Sequence, residues 1–172
     1  MLVFAAAAIP SRATNLPPSC GDAKTVIDVA THKHASASTA PEEGKAKVVF
    51  IETADSDAAP VTTRVAIDGA WLGGNRGNSY FESTIPPGEH HVCVDWQLNR
   101  RMIRDDPQFD VFKAQAGHVY YFRVQVGWLP SVQMILNREP GGHMSLSLSN
   151  LNQDEGQYLV RNSRLSTSTQ KK

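Results

Sequence analysis

"VTTRVAIDGAWLGG", residues 61 to 74, decides the fold class. Val, Thr and Ile crowd residues 61 to 67, Asp68-Gly69 follows, and a short apolar run returns. An Asp-Gly pair between apolar runs predicts a two-residue hairpin, because a type I′ turn needs positive φ at both central positions. The same grammar repeats outward in both directions. "KAKVVFIET" (45 to 53) precedes it without a breaker, and "NSYFEST" (78 to 84) follows it. Pro86-Pro87-Gly88 then reads as a type II turn, with proline fixing φ at the first corner and glycine supplying positive φ at the second. "EHHVCVDWQ" (89 to 97), "FDVFKAQ" (109 to 115), "HVYYFRVQV" (118 to 126), "VQMILNRE" (132 to 139) and "HMSLSLS" (143 to 149) complete the set, with turns at 116 to 117 and 140 to 142. Many short strands with closely spaced turns predict an all-β, antiparallel sandwich of about seven to nine strands.

The ends differ from this middle. Asn152 precedes Glu155 by three residues, a capping-box-like spacing. One short C-terminal helix is therefore expected in "QDEGQYLVRNSRL", with Tyr158, Leu159 and Leu165 facing the sheet. Gly156 inside it costs about 1 kcal/mol relative to Ala. "STSTQKK" (166 to 172) reads as a disordered tail. At the other end, the apolar run Leu2 to Ile9 is followed by Ser11 and Ala13, small residues spaced as at a signal-peptide cleavage site. Residues 1 to 13 thus read as a signal-peptide remnant whose basic leading region lies upstream of this start. The run is far shorter than the about 20 residues of a membrane span. Residues 14 to 44 read as an arm and linker with one strand-like piece, "KTVIDV" (24 to 29), and 45 to 165 as the sandwich domain. Export places the protein in the periplasm or outside the cell, with membrane association by lipid disfavoured by Pro17 and Pro18 before Cys20.

Seventeen basic residues balance seventeen acidic ones among 172, so no overall field draws the chain to nucleic acid. The sharpest chemical question is the strand "HVCVDW" (91 to 96). Val92, Val94 and Trp96 form an apolar face; His91, Cys93 and Asp95 share the opposite one. Three readings compete there. A zinc site usually needs four ligands from paired motifs, and no second Cys or His pair with that spacing exists; "HKH" (32 to 34) lies in the linker. A Cys nucleophile needs a base within hydrogen-bond reach, yet alternate residues on one strand stand about 7 Å apart. A disulfide to Cys20, the one other cysteine, suits an exported chain and would pin the arm across the sheet. The disulfide is favoured; no metal, cofactor or catalytic residue is expected.

Other stretches are weaker. "LGGNRGNS" (72 to 79) lacks the Lys-Ser/Thr ending of a phosphate loop and reads as a strand connection. Arg100, Arg101 and Arg104 beside Asp105 and Asp106 nearly cancel and read as a solvated loop. Trp128, between Gly127 and Pro130, and Trp71, after the Asp-Gly turn, are candidate ligand-binding residues if exposed, and candidate packing residues if not. His118 and His143 sit at strand starts without an evident partner.

"KVVFIET", "VAIDGAWLGG", "NSYFESTIPPGEHHVCV" and "AQAGHVYYFRV" occur in an order that resembles the domain-of-unknown-function 2846 family. Asp68-Gly69, Gly73, Tyr80-Phe81, Pro86-Pro87-Gly88, Gly117, Tyr120-Tyr121 and Arg123 carry the resemblance, over roughly residues 45 to 160. It implies an exported, lipoprotein-like bacterial β-sandwich without an assigned activity. This sequence departs from it in lacking a lipobox and in the long 98 to 108 loop. The expected function is a non-catalytic structural or binding module of the cell envelope, its partner an envelope protein or a glycan. A carbohydrate or peptide binder using exposed Trp, and a metal-binding or thiol enzyme using His91, Cys93 and Asp95, are the alternatives.

Overall fold

The computed structural model describes residues 16–33, 40–54, 61–98, 101–102, 107–130 and 142–171. Eleven strands are present: β1 Val26–His32, β2 Ala46–Ala54, β3 Val61–Ile67, β4 Ala70–Asn75, β5 Ser79–Ile85, β6 Gly88–Leu98, β7 Arg101–Met102, β8 Gln108–Ala114, β9 Val119–Pro130, β10 Gly142–Leu151 and β11 Arg164–Lys171. One helix, α1 Gln153–Arg161, lies between the last two. Sheet A runs β1-β11-β5-β2-β9-β10; sheet B runs β4-β3-β6-β7, with β8 also on β6. The all-β sandwich is as expected. It is mostly antiparallel, but β2 lies parallel to β9 and β11 parallel to β5. The β2 sequence already carried this: "AKVVFIE" is a near-continuous apolar run, and Ala46 to Glu52 are all buried, as suits a strand covered on both faces.

The core between the sheets holds Val48, Phe50, Val65, Ile67, Phe81, Val92, Val94, Trp96, Phe122, Val124 and Val126. Phe50 stacks between Phe81 and Phe122, at 5.5 and 5.1 Å between ring centroids. The hairpin reading holds: Asp68 and Gly69 have φ of 51° and 83°, as the type I′ turn demands. The type II reading does not: Gly88 has a positive φ, but at 142° it lies well beyond the about +80° of a type II corner, and it already opens β6. Gly69 is needed twice over, since a Cβ there would also lie 2.7 Å from the Pro18 carbonyl oxygen.

Both ends of the chain depart from expectation. Residues 166–171 are not a tail but the body of β11, which pairs with all seven residues of β1. Ser and Thr alternate there without apolar periodicity, so the pairing partner, not the local sequence, makes the strand. Correspondingly, the strand-like piece expected at 24 to 29 is a full strand, β1, that runs on to His32. Ile27 and Val29 lie over Gly74, where a Cβ would meet them at 3.1 and 3.4 Å. Gln170 Nε2 donates to the Trp71 carbonyl oxygen at 2.6 Å. The β1–β11 ribbon thus continues sheet A around its edge and onto sheet B. The strand expected at 132–139 lies outside the described residues.

The helix is shorter than expected, ending at Arg161, and Asn152 caps it by accepting from the Glu155 N–H at 2.9 Å. Its buried residues are Gly156 and Val160, whereas Tyr158 is 61% exposed. Leu159 and Leu165 do pack beside the cluster of Val49, Ile51, Tyr80, Tyr121 and Leu151, but Leu165 does so from β11. Tyr158 points outward because Gly156 is the residue laid on the sheet: a Cβ there would sit 2.2 Å from Tyr121 Cγ. Gly156→Ala is therefore expected to destabilise the protein. Helix propensity favours Ala by about 1 kcal/mol, but forcing a methyl into a filled site costs about 1–3 kcal/mol, and the clash involves Tyr121 Cβ, at 2.6 Å, as well as the ring. A urea unfolding midpoint raised in the variant would contradict this contact.

Candidate functional site

β3 and β6 pair so that Arg64 lies opposite Asp95 and Ala66 opposite Cys93. Alternation sends Val92, Val94 and Trp96 into the core and His91, Cys93, Asp95 and Gln97 to the far side. That far side is not open. Residues 16 to 32 lie across it, and Cys20, Ile27, Ala66, Trp71 and Cys93 form a third apolar cluster beneath them.

Each outward residue of β6 has a partner. Cys93 is bonded to Cys20, with Cα atoms 5.2 Å apart. Asp95 pairs with Arg64, both side chains being over nine-tenths buried. The Arg64 guanidinium also donates to the Thr25 carbonyl oxygen and lies 4.3 Å over the Trp71 ring. Gln97 accepts from the Ile27 N–H at 3.0 Å and donates to the Ile27 carbonyl at 2.8 Å, as a strand neighbour would. Trp71 Nε1 donates to the Asp22 carbonyl at 2.9 Å, and the Gly69 N–H to that of Ser19 at 3.0 Å. His91 alone remains at the surface, its side chain 54% exposed and 3.8 Å from Glu89. The three residues singled out in the sequence therefore share a face but no chemistry: one is in a disulfide, one in a buried ion pair, one at the rim.

The hairpin turn is fastened too. Asp68 accepts from the His91 N–H at 2.8 Å and lies 2.6 Å from His90 Nδ1, while His90 Nε2 lies 2.9 Å from the Pro86 carbonyl oxygen. Partial burial pushes the Asp68 carboxyl upward, but the His91 amide and the His90 ring outweigh it and hold the group below its ordinary value.

Of the two candidate tryptophans, Trp71 takes the packing alternative and not ligand binding: it is buried, 7% exposed, as a wall of the arm's seat. Trp128 is 45% exposed, with Leu129 beside it at 49%. It stands within β9 rather than a loop, across from Met144, and a Cβ on Gly142 would lie 2.6 Å from its ring. His32 meets Thr167 Oγ1 at 2.9 Å, so it belongs to the β1–β11 ribbon; His34 lies outside the described residues. So do Arg100, Arg104, Asp105 and Asp106. No group of three or more His, Cys, Asp and Glu side chains among the described residues could hold a metal ion.

Sequence reasoning passed over Arg64, Gln97 and Glu52. A lone Arg inside "VTTRVAI" was the available sign of the first, since an outward strand position is cheap for arginine only if something covers or hydrates it. Glu52 is wholly buried, inside the sandwich, accepting from Thr63 Oγ1 at 2.7 Å and from the Gly77 N–H at 2.5 Å. Burial pushes its carboxyl above the ordinary 4.5, and those hydrogen bonds only partly offset the shift. The sign follows directly. The folded carboxyl holds its proton where the unfolded one has lost it, so this contribution to stability is full below the unfolded value and is lost as pH rises through the folded value. Glu52→Gln is expected to flatten the fall in unfolding free energy as pH rises above the ordinary carboxylate value. An unchanged slope in urea titrations over that rise would refute it.

No protein-family model matches this chain, and no curated protein or solved structure matches it. The disulfide suits a protein kept from the reducing cytosol. No helix among the described residues is long and apolar enough to cross a membrane.

Proposed function

We propose that this protein is an exported, non-catalytic β-sandwich module of the bacterial cell envelope, with a structural or binding role. One observation carries the reading: the polar stripe of β6 is spent on holding the arm. Cys93, the one candidate nucleophile, has no free thiol, and Asp95 is tied to Arg64. The apparent leader at residues 2 to 13 and the motifs resembling the domain-of-unknown-function 2846 family support the same reading. Intact-mass measurement of the protein recovered from the cell envelope tests it. A cleaved chain lighter by two hydrogens than its reduced form is expected. Two free thiols together with a bound transition ion would instead favour the metal or thiol enzyme.

A second reading rests on Trp128. A half-exposed indole beside Leu129 at the end of β9 can stack on a sugar ring or an apolar side chain. On this reading a glycan or peptide quenches or shifts Trp fluorescence in the native protein and not in Trp128→Ala. A panel leaving the native spectrum unchanged would remove it.

A further inference from the structure

The His90 side chain is buried, 6% exposed, and both of its ring nitrogens face acceptors. Nδ1 lies 2.6 Å from the Asp68 carboxylate, and Nε2 lies 2.9 Å from the Pro86 carbonyl oxygen. A neutral imidazole has one N–H and one lone pair, so it can satisfy only one of the two. Asp68 does not supply the missing proton. Burial raises its carboxyl, but the His91 amide and the His90 ring outweigh that and keep it ionised below its ordinary value. Only the doubly protonated ring bonds both turns. The other charged groups around it are turned elsewhere. Glu89 and His91 are exposed on the opposite face of β6, and Lys113 stands across from Glu89 on β8. Asp110, diagonal to His90 on β8, accepts from the Val111 N–H at 2.8 Å. Phe112 packs against the ring at 5.8 Å between centroids, with Tyr120 and then His118 behind it.

We infer that His90 is a pH-operated latch: its charged ring ties the Asp68-Gly69 hairpin to the Pro86-Pro87-Gly88 turn, and loss of one ring proton releases the second turn. The two links are unequal. The bond to Asp68 joins two charges, and charge-assisted hydrogen bonds are about twice as strong as neutral ones. The neutral ring therefore keeps its proton on Nδ1, and the Nε2 lone pair is left facing the lone pairs of the Pro86 carbonyl. Asp68 and Phe112 hold the ring, so the turn is the part that moves off. It has room to do so: Pro86 and Pro87 are exposed, and a Cβ on Gly88 would meet nothing within 4 Å. The Asp68-Gly69 turn stays in place, and with it the bond from the Gly69 N–H to the Ser19 carbonyl at 3.0 Å, so the arm remains seated. The folded geometry satisfies only the charged ring, so this contribution to stability is whole while His90 is charged and is lost as pH rises through its titration. The acid limit is set by Asp68, whose lowered value keeps its own contribution until pH falls through that value. The latch belongs to the fold, so its failure leaves the module reading standing.

The test uses the full-length, oxidised protein labelled with nitrogen-15. Spectra correlating the His90 ring nitrogens with their protons are followed upward from about pH 5 until the ring has lost one proton. The Gly88 amide resonance is followed in the same samples. At the acid end, both His90 ring nitrogens should carry protons that exchange slowly with water. As pH rises the Nε2 proton should be lost and the Nδ1 proton kept, and the Gly88 amide should shift with the same midpoint. A folded protein whose ring carries one proton from the start, a ring that loses the Nδ1 proton instead, or a Gly88 amide that does not follow the ring overturns the inference. In His90→Gln the Gly88 step should vanish, and a step retained there overturns it equally. Asp68→Asn gives a reading that does not depend on that variant folding. Without the counter-charge the ring and the Gly88 amide should both step at lower pH than in the wild type. Unmoved midpoints in Asp68→Asn would show that the carboxylate is not what holds the second proton, and the latch would be abandoned.

Discussion

Replacing both cysteines, Cys20→Ala with Cys93→Ala, is expected to lower the unfolding free energy by about 4 kcal/mol in the chain-entropy view. The bond spans 73 positions in sequence, a loop long enough that closing it in the unfolded chain removes much conformational freedom. For a protein of this size that corresponds to a fall in melting temperature of about 8–16 °C. The loss should not spread evenly. The arm is fixed by the disulfide, the Arg64 and Gln97 contacts and β1, whereas the core between the sheets does not touch it. Amide exchange should therefore quicken first in residues 19 to 32 and in the Gly69 turn, before β2 or β9. Thermal melts and hydrogen exchange of the oxidised wild type against the double variant check both statements. A melting temperature within a degree or two would mean that the arm holds without its covalent link.

The Arg64–Asp95 pair carries the second large effect. Both side chains are almost fully buried beneath the arm, and Arg64 has no compensating carboxylate other than Asp95 among its described contacts. Asp95→Ala leaves a guanidinium under the arm with the Thr25 carbonyl and the Trp71 ring but no counter-charge, and Arg64 Nε already lacks a hydrogen-bond partner. Breaking one side of a buried pair costs about 3–5 kcal/mol. Replacing both partners by apolar residues of similar volume, Arg64→Met with Asp95→Leu, removes the stranded charge. The double variant should lie well above Asp95→Ala in stability. Urea unfolding of wild type, both single variants and the double variant completes the cycle. If Asp95→Ala is nearly neutral, water reaches Arg64 and the arm is not a seal.

The middle of the chain was legible because its signals are local. Asp68-Gly69, Pro86-Pro87-Gly88 and the alternation of "HVCVDW" each fix geometry within a few residues. The face assignment on β6 and the Cys20–Cys93 pairing followed from that alternation and from a count of two cysteines. What escaped was set by distant partners. β11 is a Ser- and Thr-rich segment that pairs because β1 offers an edge, and no pattern in "RLSTSTQK" announces it. Trp71 looked exposable because nothing near it in sequence covers it; residues 16 to 22 do so. Tyr158 was expected inward by helical periodicity, but the face of α1 was decided by the close approach of Gly156 to Tyr121. Glu52 sat in an apolar run as an apparent interruption, and only the Thr63 hydroxyl and Gly77 amide make its burial tolerable.

The pairing of β1 with β11 has a consequence for how the chain is made. Asp28 meets Lys171 across 143 positions, so the β1 ladder can form only once a long stretch of chain has followed it. Cys93 lies 73 positions from Cys20, about half the separation of the Asp28–Lys171 pair. Once the chain meets an oxidant, the sulfur bridge closes the shorter loop and so can form ahead of the β1–β11 ladder, keeping the leading segment at hand until its hydrogen-bonding neighbour arrives. Oxidation is then an early checkpoint in maturation, and a chain delayed in reaching an oxidant would complete its final ladder with the front end still at large.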